Sequence, residues 1–141
     1  MKVKIGKYPT FRFYHNWLYK WFGYTLKQRT SIKIHNYDTW SMDDTLAPII
    51  LPMLKQLKET KHGYPGNLTE QEWDDILDEM IWAFEEKCKD NWQDQYYGPH
   101  IPNDGGIGDF EWIDRDGLEK HQKRMSNGFR LFGRYYENLW D

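Results

Sequence analysis

A chain of 141 residues can bury one real hydrophobic core, and a single domain over 1–141 is expected. No apolar run reaches the roughly 18 residues a spanning helix needs, the start MKVKIGKYPTF carries no apolar signal core, and the single Cys88 precludes an internal disulfide or a zinc site of several thiolates. The net charge of −3 hides a split: eight Lys/Arg and no acid precede Asp38, whereas His62 to Asp116 holds fifteen acids against three bases.

The first 37 residues alternate like strands. Val3 and Ile5 alternate with lysines, Phe11 and Phe13 flank Arg12, and Ile32 and Ile34 flank Lys33, with Pro9 and Gly23 as punctuation. Residues 17–26 are aromatic throughout, and β-propensity favours strand there as well. These segments predict a small antiparallel sheet. Their chemistry suits a nucleotide binder: Arg12, Lys20, Arg29 and Lys33 can hold phosphates, and Tyr8, Phe11, Tyr14, Trp17, Tyr19, Trp21 and Tyr24 can stack on bases. The competing reading is a sheet with one core face and one solvated basic face. No signature of an RNA- or DNA-reading module is present, and the negative overall charge argues against long nucleic acid.

Next comes TWSMDDTLAPIILPML, residues 39–54. Leu46, Ile49, Ile50, Met53, Leu54 and Leu57 follow helical spacing, with Ser41 as N-cap and Asp44 in the partner position of a capping box. Pro48 and Pro52 remove the N–H groups that would reach the carbonyls of Asp44 and Pro48, so those carbonyls need another donor. The polar entrance Trp40, Ser41, Asp43 and Thr45 is a candidate ligand contact; the alternative is a capped packing helix.

After the turn KHGYPGN, a second helix repeats the stripe with Trp73, Ile76, Leu77, Met80, Ile81 and Phe84, opened by a Thr69–Glu72 capping box. Two such helices pack antiparallel, with their stripes facing each other and the sheet. The acids Asp74, Asp75, Asp78, Glu79, Glu85 and Glu86 fall opposite the stripe and read as a solvated face; Asp75 and Glu79 lack a histidine at ligand spacing, and no metal or other cofactor is expected. Residues 90–117 read as loop. In it, NDGGIGDFEWIDRDG matches neither a phosphate loop nor a calcium loop.

A last helix is expected over 118–140, with a seam of Leu118, Met125, Phe129, Phe132, Tyr136 and Leu139; Gly128 and Gly133 mark close packing or a break. Arg130 and Arg134, one turn apart, can clamp a phosphate or pair with acids. His15, His35, His62, His100 and His121 are scattered beside no evident nucleophile, so a hydrolase is disfavoured. Together these elements predict an α+β fold: a small aromatic-rich antiparallel sheet packed against two amphipathic helices plus a C-terminal helix.

With TWSMDDTLAPIILPMLKQLKETKHGYP, WDDILDEMIWAFEE and SNGFRLFGRYYENLWD in order, the chain resembles a widespread family of small tailed-bacteriophage proteins of undefined role. It is also similar to the anti-CBASS nucleotide sponges. The resemblance implies work in the cytoplasm of an infected bacterium. It further implies a homo-oligomer, dimer or tetramer, that captures a cyclic dinucleotide or related small nucleotide without cleaving it, away from membranes. No binding residue is carried over from that family; the alternative is an accessory protein binding a host or virion protein through its aromatic surface.

Overall fold

The computed structural model describes residues 1–7, 12–23, 25, 27–100 and 110–140, with backbone alone at 99–100 and 110–112. The fold mixes helix and strand and is dominated by helix. The chain divides into two compact units, Met1–Met42 and Asp43–Asp141. Among the described residues, no helix is long and apolar enough to cross a membrane.

In the first unit, β1 (Lys2–Ile5) pairs antiparallel with β2 (Thr30–Lys33), placing Lys2 opposite Lys33, Val3 opposite Ile32, Lys4 opposite Ser31 and Ile5 opposite Thr30. The expectation of strand over residues 17–26 is overturned: Tyr14–Phe22 is a helix, α1. Its reason is in the spacing, because Tyr14, Trp17, Leu18, Trp21 and Phe22 fall on one helical face, and rings at other positions disguise the period. Gly23 ends α1 with φ +63°, its N–H donating to the Tyr19 carbonyl at 2.9 Å. Phe13, expected in a strand, has αR backbone just ahead of this helix, while Phe11 lies outside the described residues. The paired strands β1 and β2 therefore hold no aromatic residue; among the described residues of this unit the rings sit on α1, at Phe13 just ahead of it, and on α2 (Asn36–Trp40).

The second unit is built on three helices. α3 (Met42–Thr60) runs through both prolines, which sit on its exposed side, where water can reach the carbonyls they free. Its buried face is turned relative to the predicted stripe: Ala47 and Leu54 are buried with Ile50, Leu51 and Leu57 packed beside them, while Leu46 and Met53 are exposed. α4 (Glu70–Lys87) buries Trp73, Leu77, Met80, Ala83 and Phe84. Its start is the reciprocal box that the sequence predicts: Thr69 N–H donates to Glu72 Oε2 at 2.7 Å, and Glu72 N–H returns to Thr69 Oγ1 at 3.3 Å.

α5 spans Arg115–Arg134, capped by Asp114, whose carboxylate accepts from Gly117 N–H at 2.8 Å. It ends before the predicted 140, in a 3-10 turn at Tyr136–Asn138, and this swings Tyr135 into the core while Tyr136, expected in the seam, is exposed. α4 and α5 run antiparallel: Glu86 faces His121, Glu79 faces Arg124, and Trp73 meets Tyr135 at 5.5 Å between ring centroids. Gly128 is where they touch. A Cβ there would lie 2.3 Å from Ala83 Cβ and 2.7 Å from the Glu79 carbonyl, whereas one on Gly133 would meet nothing within 4 Å. Part of the predicted loop is also ordered as strand, β3 (Tyr97–His100) pairing antiparallel with β4 (Phe110–Trp112).

Candidate ligand-binding surface

The acid-rich face of α4 is matched by cations within its own unit. Lys55 meets Glu85 at 2.6 Å, Lys58 meets Asp78, and Lys61 lies 3.0 Å from Asp74 and 3.7 Å from Glu70. Lys55 and Lys58 on α3 and Lys61 just past its end recur at three-residue spacing, so they form a ladder alongside α4. Glu79, weighed as half of a metal pair, is held by both the Nε and a terminal nitrogen of Arg124, at 3.1 and 2.7 Å. Its would-be partner Asp75 accepts from Gln71 at 2.9 Å. Lys87 lies 2.7 Å from both Asp43 and Asp44 and joins the end of α4 to the start of α3. The Lys87 contact holds the Asp43 carboxyl below its ordinary range, and Asp43 and then Asp44 raise the Lys87 ammonium above its own.

The candidate residues are split between the units. Arg12, Tyr14, Arg29, Trp40 and Ser41 are in the first; Asp43, Thr45, Arg130 and Arg134 are in the second; Tyr8 lies outside the described residues. Within the second unit the set does not converge. Asp43 is tied to Lys87 at the end of α4, whereas Arg134 precedes Tyr135, which packs on Trp73 at the other end. Fourteen residues of helix separate those anchors, roughly 20 Å. Arg130 donates to Asn127 at 2.7 Å, and the Arg134 guanidinium stands 5.4 Å from the Tyr135 ring. Thr45 is half-buried in the first turns of α3.

The first unit offers more. Among its described residues none is buried. Trp17, Trp21 and Phe22 are 57%, 69% and 73% exposed, and the Trp17 ring meets both others, with centroids 6.4 Å from Trp21 and 6.0 Å from Phe22. Tyr14 opens the same helix beside Phe13 at 5.8 Å, and Trp40, at the end of α2, is almost wholly exposed. Arg12 precedes α1, its backbone N–H donating to His15 Nδ1 at 2.7 Å. The unit's one acid is occupied: Asp38 accepts from the Met1 amine at 2.6 Å and from the His35 N–H at 2.7 Å, contacts that lower its pKa in that order of importance.

One cluster has no local signal in the sequence. His121 stacks on Trp92 at 4.8 Å and leans on Trp82 at 5.1 Å, with its Nδ1 2.9 Å from the Tyr96 hydroxyl and its Nε2 3.4 Å from buried Glu86. Arg124 also stands over the Trp82 ring, at 3.9 Å. The group fastens the segment after α4 onto the helix pair. Glu79, Trp82 and Glu86 do share one face of α4, but only the register of α5 shows what meets them. Nearby, Gln93, Asp94, Tyr97 and Gly98 line a cavity of about 520 Å³ with no cation among these residues. Cys88 is exposed at the end of α4.

Comparison of the chain with protein-family models, with curated proteins and with solved structures gives no match.

Proposed function

We propose that the protein is a noncatalytic binder that captures a small anionic nucleotide, with a cyclic dinucleotide as the leading candidate, on its N-terminal unit. One observation carries the reading: solvent-facing rings on α1 and α2 share a unit with eight Lys/Arg whose only acid is already engaged. Bases stack on exposed rings and phosphates pair with unneutralised cations, whereas a ring buried in a core can do neither. Arg12, Tyr14, Arg29 and Trp40 belong to this reading; Arg130 and Arg134, at the far end of the other unit from Asp43, are not required by it. Capture as a homo-oligomer, dimer or tetramer, inside a phage-infected bacterium is part of the same proposal.

The test is a thermal-shift screen with cyclic di- and trinucleotides, followed by chromatography of the ligand released on denaturation. A raised melting temperature with intact ligand recovered supports capture; degraded ligand points to an enzyme; no shift with any nucleotide overturns the reading. A second reading, docking of a host or virion protein, draws on the joined cluster of Trp17, Trp21 and Phe22, a wider apolar face than one base covers. It predicts that nucleotides do nothing.

A further inference from the structure

The pairing of β1 with β2 sorts the N-terminal cations by face. Side chains alternate along a strand and directly paired residues share a face. Lys2 and Lys4 therefore project on the same side as their partners Lys33 and Ser31, while Val3, Ile5 and Ile32 project on the other. The ladder continues one step past the strands, where Gly6 N–H donates to the Arg29 carbonyl at 2.8 Å. Gly6 falls on the side of Lys2 and Lys4, so Arg29 joins that face too. A Cβ built on Gly6 would lie 3.6 Å from Arg29 Cβ and 3.3 Å from its carbonyl oxygen, so the glycine leaves the space beside the Arg29 stem open. Gln28 holds the end in place, its side chain donating to the Gly6 carbonyl at 2.7 Å.

One side of a two-stranded sheet thus carries Lys2, Lys4, Arg29 and Lys33 around the Ser31 hydroxyl. Paired positions stand about 5 Å apart and successive same-face positions about 7 Å apart, so these cations reach into one shared volume. Stability does not call for this arrangement. Like charges set directly opposite, as Lys2 and Lys33 are, weaken an antiparallel pair. The unit's single acid does not offset them, since both oxygens of Asp38 are occupied by the Met1 amine and the His35 N–H.

We infer that the Lys2–Lys4–Arg29–Lys33 face is the phosphate site of this protein, built for a ligand that presents two or more neighbouring phosphates. A single phosphate satisfies one fork or two ammonium groups and leaves the rest of the face repelling itself; neighbouring phosphates engage both registers together. The inference rests on the capture reading for the ligand being a nucleotide, and it moves phosphate recognition away from the arginines of α5. The same chemistry is offered by a free oligophosphate and by a short single-stranded oligonucleotide, so the test has an arm for each.

Isothermal titration of the full chain with a cyclic dinucleotide, inorganic triphosphate, orthophosphate and a short oligonucleotide decides the matter, with Lys33→Glu and Arg29→Gln as variants. The expected result is that triphosphate competes with the cyclic dinucleotide while orthophosphate at equal concentration does not. Arg29→Gln then weakens binding about tenfold, as loss of one charge-assisted contact does, and Lys33→Glu weakens it further. Lys33→Glu also places an acid opposite Lys2, so its melting temperature should hold or rise; lost binding in a chain that is no less stable is a signature no structural role gives. If the dinucleotide binds wild type and both variants equally, the face is wrong and capture stands. If triphosphate binds in a Lys33-dependent way but no nucleotide does, the face is right and nucleotide capture falls. Tighter binding of the oligonucleotide than of either small ligand overturns the small-ligand class, and no binding by any ligand overturns both proposals.

Discussion

The two units handle charge and rings in opposite ways. Asp43–Asp141 has twenty-one acids against eleven Lys/Arg, yet Glu85, Asp78, Asp74 and Glu79 of α4 meet Lys55, Lys58, Lys61 and Arg124 within the unit, and Trp73, Phe84 and Tyr135 are buried although Tyr64, Tyr136 and Trp140 are exposed. Met1–Met42 has eight Lys/Arg against one acid, gathers four of those cations on one sheet face, and buries none of its described rings. Pairing gives the difference its meaning: charge that is answered locally supports a fold, and charge left unanswered is available to a partner.

The largest effects should break this contrast if it is wrong. Trp73→Ala empties a fully enclosed core position and should cost about 3–5 kcal/mol, whereas Trp21→Ala on exposed α1 should change stability by no more than about 0.5 kcal/mol; urea denaturation of both variants checks the pair. Comparable losses would mean that the α1 rings are packed. Next in size are the two glycines of α5. Gly128→Ala drives a methyl group into Ala83 and the α4 backbone and should destabilise by about 1–3 kcal/mol. Gly133→Ala meets open space and should gain roughly 0.5–1 kcal/mol from helix propensity. Opposite signs for one substitution on one helix are readable by thermal melts. Thr69→Ala, which removes one half of the α4 capping box, should cost about 1 kcal/mol.

Sequence carried some of this architecture and hid the rest for identifiable reasons. The α4 stripe and its cap are local patterns, and both are present in the fold. In α3 the apolar residues outnumber what one face holds, so periodicity starts the stripe at Leu46 where the structure buries Ala47; the exposed prolines mark which side meets water. α1 is ambiguous in sequence because its rings satisfy strand propensity and helical spacing together. Of the candidate site, Arg12, Tyr14, Arg29 and Trp40 were legible from residue type. That Arg29 stands with Lys2, Lys4 and Lys33 was not, because shared faces depend on a pairing register across more than twenty residues. The His121 cluster was hidden likewise, by the register of α5 on α4.

The smallest effect tests whether local neutralisation matters to the second unit's fold. Asp43 is held below its ordinary pKa by Lys87, so its contribution is full above the usual carboxylate range and is lost as pH falls through the lowered value. Lys87 is raised, chiefly by Asp43 and then Asp44, so its contribution is full below the usual lysine range and is lost as pH climbs through the raised value. Melting temperature against pH should therefore fall at both ends. Asp43→Asn should flatten the acid limb and leave part of the alkaline limb, because Asp44 still faces Lys87 at 2.7 Å. Lys87→Gln should flatten both limbs together. If neither variant alters either limb, the Lys87 contact does not hold α3 to α4, and that join rests on Ala47, Leu54 and their apolar neighbours together with the Lys55–Glu85 and Lys58–Asp78 pairs.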